Sequence, residues 1–432
     1  MKLNYKRTIL IGLAFASILA FWQFYDQVIA YQLEYVFGLD TLPANAIMAI
    51  DNVLAIFMLP LFGTLSDKTH TKLGKRTPYI LFGTFAAVVL LLVLCYFETK
   101  VNFPAFFITL VALLVVMAIY RSPAVAYMPD VTEKPLRSKA NAVINLVGYV
   151  GGIFATVMMS VLLKSEKQAD GKSVYSAGQS FIPIFAVIAA FMLLTVLIMF
   201  LTVRENNLPH VEDEPEEVSE GENSGKMSRE LKKSLIFMLL SVFNWFMAYN
   251  AVTTAFSRYC ESVWNADLGT SSGYLTVATV AAIIAFVPLG FISGALGRKK
   301  TVLIGVAMMI GGYCAAFFLT HASVIMYVVF AVVGIGWAAI NVNSFPMVVD
   351  MGNGGNVGRF TGIYYTFSMA AQVVTPLLSG LLIDKLNFGY RILFPYAVVF
   401  TVLAFITMLF VRHGDSKPAK KKALIEHFDV ED

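Results

Sequence analysis

Residues 63–76 read GTLSDKTHTKLGKR, and residues 290–300 read GFISGALGRKK. Each segment follows a long apolar run. Each sets a glycine, a serine three residues later, a second glycine and then a knot of bases in the same order. A second echo has a similar offset: Asp130 is followed by Arg137, and Asp350 by Arg359. Correspondence at two places is the mark of a duplicated unit, so the chain divides into two related halves.

The 432 residues are 58% hydrophobic and 14% charged, with a mean hydropathy of +0.72. That charge is about half the usual share in soluble domains. The apolar residues run together at 8–36, 43–65, 78–97, 104–128, 139–163, 181–203, 234–259, 272–295, 301–319, 323–348, 361–384 and 391–411. About 20 such residues in a helix cross the hydrocarbon layer. The expected fold is therefore an all-α integral membrane protein of twelve transmembrane helices in two six-helix halves. The expected divisions are 1–203 for the first half, 204–233 for a linker, 234–412 for the second half and 413–432 for a tail. No short apolar segment with a small-residue cleavage site precedes span one, so Lys6, Arg7 and the run after them read as a retained span. Bases crowd the alternate loops (Lys68, Lys72, Lys75 and Arg76; Lys134, Arg137 and Lys139; Arg298, Lys299 and Lys300), while 37–42 and 320–322 hold none; Lys164, Lys167 and Lys172 in the outer loop 164–180 weaken the bias locally without reversing the total. By the positive-inside rule both ends and the acidic linker are expected in the cytoplasm of a plasma (inner) membrane protein.

The net charge of +4 resides in these short loops, so it sets orientation and implies no nucleic-acid partner. Cys95, Cys260 and Cys314 are scattered without paired spacing, which argues against a disulfide framework and a metal site. No phosphate-cradling loop followed by Lys and Ser or Thr is present, and no nucleophile and base converge in the sequence, so enzymatic and nucleotide-driven chemistry are not expected. A membrane sensor would need a folded output domain, for which linker and tail are too small.

The 63–76 loop resembles the signature loop of the major facilitator superfamily, and the twelve spans extend the likeness over nearly the whole chain. Its longer form, from Ser66 through Gly74, together with Arg121-Ser-Pro-Ala-Val-Ala-Tyr-Met-Pro-Asp130 on span four, looks like the sucrose/maltose-type branch beside the glycoside–pentoside–hexuronide:cation symporters. That resemblance implies alternating access by a monomer in the lipid bilayer, a small-molecule substrate that is a disaccharide or glycoside, and a co-transported proton or sodium ion in place of any cofactor. A drug or metabolite exporter working by proton antiport is the alternative. The resemblance also implies that Asp67, Arg76, Asp130 and Arg137 form a charge network that latches the inner gate. Two departures matter. Melibiose-type members carry paired carboxylates on span two where this chain has Ala55 and Leu59, so that sodium site does not transfer. Gly294 replaces the signature acid in the second half, so a latch built differently is expected there.

An intramembrane charge costs about 3 kcal/mol or more and is by default functional. Asp26 on span one, Asp51 on span two and Arg121 on span four are the clear cases, with Glu34 nearer the outer surface. Asp26 and Asp51 are expected to couple the cation, with Arg121 competing for them or holding hydroxyls through its planar fork. All five histidines lie outside the runs, so any proton coupling falls to carboxylates. Substrate contacts are expected from Trp22, Gln23 and Gln27 on span one, Asn141 and Asn145 on span five, Asn244, Trp245, Tyr249 and Asn250 on span seven, Trp337 and Asn341 on span ten, and Gln372 on span eleven. Aromatic faces beside amides suit the C–H faces and hydroxyl edges of a sugar. Asn141 and Asn145 are equally readable as interhelical glue, Trp264 as an interfacial anchor, and the pairs Gly148/Gly152 and Gly290/Gly294 as close helix approaches.

Overall fold

A computed structural model describes residues 3–163, 165–167, 173–175, 180–208, 227–266, 268–352, 356–386 and 388–415. Among the described residues, twelve helices are long and apolar enough to cross a membrane. In the first half they are Tyr5–Val36, Pro43–Asp67, Thr77–Thr99, Phe103–Asp130, Lys134–Leu162 and Ile182–Thr202. In the second half they are Arg229–Trp264, Thr270–Leu296, Arg298–Phe318, Ile325–Asp350, Val357–Ile383 and Tyr390–Leu409. These are spans one to twelve. A two-stranded hairpin, β1 (Ser165–Lys167) and β2 (Ser173–Tyr175), joins spans five and six. The acidic stretch 212–222 and most of the tail lie outside the described residues.

Local chemistry sets the helix ends. The Asn102 side chain accepts from the Ala105 amide and Pro104 sits in the first turn of span four; Ser228 caps span seven in the same way through Leu231. Span seven therefore begins inside the segment read as linker, with Arg229, Glu230, Lys232 and Lys233 as its polar first turns. Large apolar side chains such as Phe57 and Ile108 point outward, the arrangement expected of helices solvated by lipid. Span one departs from regular helix at Tyr25–Ile29 and Gln32–Val36, where wide i→i+5 turns replace α-turns. Span two breaks between Met48 and Ile50. The Tyr25 hydroxyl donates to the Met48 carbonyl at 3.1 Å, so one irregularity satisfies the other.

The end of the bundle bearing the 63–76 loop and both described chain ends is called basal here, and the opposite end apical. The halves pack through spans two and eleven and through spans five and eight. At the basal end Gly63 and Gly358 bring these backbones together, since a Cβ on either would strike the other's carbonyl oxygen. Within the first half, Gly148 and Gly151 admit span one, and a Cβ at Gly151 would meet the Ala16 carbonyl. Gly152 has only one atom within 4 Å, so the close pair is one residue short of the expected spacing. Trp264 donates its indole N–H to the Leu319 carbonyl at 3.1 Å and is buried against Phe256 and Tyr259. It ties spans seven and nine together and is not an interfacial anchor. The three cysteines are free thiols, Cys95 and Cys260 buried and Cys314 partly so.

Candidate functional site

The mid-span site begins at the wide turn of span one. Asp26 and Gln27 are exposed there, while Trp22 and Gln23, a turn earlier, are half-covered. An extra residue per turn changes which side chains share a face, and such turns recur at functional sites. Asp51 stands just past the break in span two, where the Asn52 amide donates to its Oδ1 at 2.9 Å; Asn52 Oδ1 is buried without a partner. Arg121 reaches both carboxylates electrostatically, and the two carboxylates reach each other. Among the described residues, however, Arg121 forms no ion pair. Its guanidinium lies over Trp22 at 5.3 Å from the ring centre and over Tyr365 of span eleven at 5.1 Å, so it bridges the halves, and its Nε has no hydrogen-bond partner. Ala55 and Leu59 are buried apolar packing.

The second-half wall is aromatic. Tyr249 and Trp337 stack parallel with centres 3.7 Å apart, and Phe246 meets Trp337 edge-on at 5.1 Å. Across the interface, Tyr149 packs on Phe286. The Asn250 amide nitrogen is buried and unpartnered. Other expected contacts are engaged elsewhere. Asn141 is buried and donates to the carbonyls of Asn341 and Val342, joining the halves, and Asn145 donates to Asn141. Asn244 and Asn341 donate to Leu240 and Trp337 on their own helices, and Gln372 to the Met369 sulfur. Trp245 has no exposed surface in this conformation, and its indole nitrogen is buried without a hydrogen-bond partner.

The basal latch consists of two ionic clusters. In one, buried Arg76 bonds Asp67, Ser66 and Asp130, while Lys75 pairs with Asp130 at 3.0 Å. Asp67 crosses to the second half and accepts from the amides of Gly358 and Arg359 at 2.8 Å each, so one carboxylate serves a guanidinium and the amino-terminal end of span eleven. In the other, Asp350 is held by Arg137 from the first half and Arg298 from the second, and Arg298 also donates to the Lys134 carbonyl. Arg137 therefore pairs across the halves and not with Asp130, its neighbour in sequence. The absent second-half acid has a structural counterpart as well: the Lys139 stem covers Gly294 and its ammonium lies over Phe291.

Sequence reasoning overlooked Glu205 and Asp415. The Glu205 carboxylate accepts from the amides of Lys75, Arg76 and Thr77 and from the Thr77 hydroxyl, at 2.7–3.1 Å, and so fixes the start of span three and the arginine beside it. Asp415 does the same for Arg298 and Lys299 at the start of span nine. Gly74 (φ +106°) and Gly297 (φ +90°) lie directly under these carboxylates, in a backbone conformation that side chains disfavour. The duplication thus extends to a cap contributed from beyond the last span of each half.

Twelve spans in two related halves, joined at one end by the Arg137–Asp350 ion pair and by hydrogen bonds of Asp67 and Arg298 that cross between them, define a multi-pass membrane transporter of the major facilitator fold. The chain belongs to the MFS/sugar transport protein family, whose model matches residues 9–411. It is 24% identical over 377 residues to the uncharacterized symporter YnaJ of Bacillus subtilis (strain 168), covering 82% of this chain and 77% of that one. It is 22% identical over 293 residues to an isoprimeverose transporter of Lactiplantibacillus pentosus, covering 64% of this chain and 57% of that one. Among solved structures it is similar to the major facilitator transporter FucP, at a TM-score of 0.73 and 14% identity over 94% of this chain and 99% of that one.

Proposed function

We propose that the protein is a glycoside or disaccharide symporter, coupled to a proton or sodium gradient and working by alternating access, with the basal end in the cytoplasm. The observation that carries this reading is the exposure of Asp26 at mid-span, with Asp51 and Arg121 in electrostatic reach and, among the described residues, no ion pair locking the three. A carboxylate left unneutralised at that depth is costly, so binding a proton or cation there lowers the cost of turning over. Arg121, already stacked between two aromatic rings, keeps a buried Nε–H without a partner and a planar fork suited to hydroxyls, and the Tyr249–Trp337 platform offers an apolar face. The family and the relative named for isoprimeverose support a sugar substrate. With the basal end sealed, substrate would enter from the apical side. Release would require breaking the Asp67 and Asp350 clusters as the halves rock.

In this mechanism Asp26 carries the coupling charge and Asp51 modulates it. In proteoliposomes, Asp26→Asn is expected to retain counterflow exchange of labelled sugar and to lose accumulation against a gradient. Undiminished gradient-driven accumulation by this variant would remove Asp26 from the mechanism.

A further inference from the structure

A cavity of about 380 Å³ opens at the basal end between the start of span one and the end of span six. Three bases line it, Lys6, Arg7 and Arg204, together with the apolar Leu10, Leu201 and Leu208. The transport mechanism uses none of them. Arg7 directs one nitrogen to the Val131 carbonyl at 2.7 Å, whereas Lys6 and Arg204 meet no carboxylate among the described residues. The neighbouring acid, Glu205, is turned away and buried against the start of span three. The outer wall faces the surroundings: Leu201 is 67% exposed, and Ile9, beside the cavity in sequence, is 44% exposed. Cations therefore sit at the membrane boundary, above an apolar wall continuous with the lipid-facing surface.

We infer that this cavity binds the phosphodiester headgroup of a net-anionic phospholipid from the basal leaflet, with Lys6 and Arg204 on the phosphate and an acyl chain against Leu10 and Leu201. A free phosphate would satisfy the bases but leave the apolar wall uncovered; a lipid satisfies both. Basic pockets between helices at the membrane surface recognise headgroups in this way. Arg204 adjoins Glu205, so a lipid held here would touch the segment that caps span three.

The test is native mass spectrometry of the purified full-length protein titrated with phosphatidylglycerol, phosphatidylcholine or inorganic phosphate. Phosphatidylglycerol is expected to occupy one saturable site. The double variant Lys6→Gln/Arg204→Gln should weaken it about thirtyfold, from about fivefold per base. Lys232→Gln/Lys233→Gln, which removes the same charge elsewhere at the basal end, should bind as the wild type does. Thermal unfolding in phosphatidylcholine confirms that the variants are folded. Equal losses in both double variants would reduce the effect to general surface charge and overturn the site. Saturable binding of inorganic phosphate, or equal binding of phosphatidylcholine, would overturn the lipid assignment.

Discussion

Replacing Asp350 with Asn tests the basal latch at its most concentrated point. Asp350 is 7% exposed and neutralises two guanidinium groups that are themselves 0–1% exposed, one from each half. Breaking a buried ion pair by removing one partner costs about 3–5 kcal/mol, because the remaining charge stays desolvated. Here the guanidinium groups keep some company: Arg137 donates to the carbonyls of Pro129 and Thr132, and Arg298 to those of Lys134 and Gly414. The lower end of the range, about 3 kcal/mol, is therefore expected against the basally closed state. In a basally open state water reaches both groups and the cost falls away, so the equilibrium shifts by about a hundredfold. The assay is double electron–electron resonance between spin labels at Lys72→Cys and Lys300→Cys, exposed basal sites on opposite halves, in a background with Cys314 replaced. The variant should move the major distance population to a longer separation. An unchanged distribution would refute the claim that this cluster holds the halves together.

Other consequences follow from the same geometry. Gly358→Ala places a methyl on the Gly63 carbonyl, Arg76 Nη1 and Asp67 Oδ1, and should disfavour the closed basal end by about 1–3 kcal/mol in the same measurement; an unaltered distribution would contradict the close approach. Glu205→Ala removes the acceptor of three amides and a hydroxyl and should cost about 2–4 kcal/mol, seen as a lower thermal unfolding midpoint. A midpoint equal to wild type would refute the capping role. Trp337→Ala dismantles the stack with Tyr249 and should weaken sugar affinity about fivefold to tenfold without altering cation stoichiometry. An unchanged KM would move the sugar elsewhere.

The architecture was legible because hydropathy states directly which solvent each helix meets, and because two loops repeat. The latch was half legible. Asp130 and Arg137 recur at nearly the offset of Asp350 and Arg359, but an offset within a duplicated chain cannot distinguish pairing inside a half from pairing across halves, and Arg137 takes the latter. Glu205 left no trace in the sequence, since 128–130 residues separate it from the amides it caps, and only the packing of span six beside span three brings them together. The charged mid-span residues could be picked out individually because charge is rare in apolar runs. Their neighbours could not. Tyr365 is one of many aromatic residues until span eleven lies against span four, and Trp245 lies one turn from Tyr249 yet is buried by packing that periodicity does not reveal. The wide turns of span one also defeat a regular helical reading of the face around Asp26.

The central claim is that this family member carries a glycoside uphill on a cation gradient. The most direct measurement is uptake of a panel of labelled glycosides and disaccharides into proteoliposomes, with proton and sodium gradients imposed separately. Accumulation of at least one sugar above its external concentration, driven by one of the two gradients and collapsed by dissipating it, is the predicted result; uptake of every sugar that stops at equilibrium under both gradients would contradict the claim.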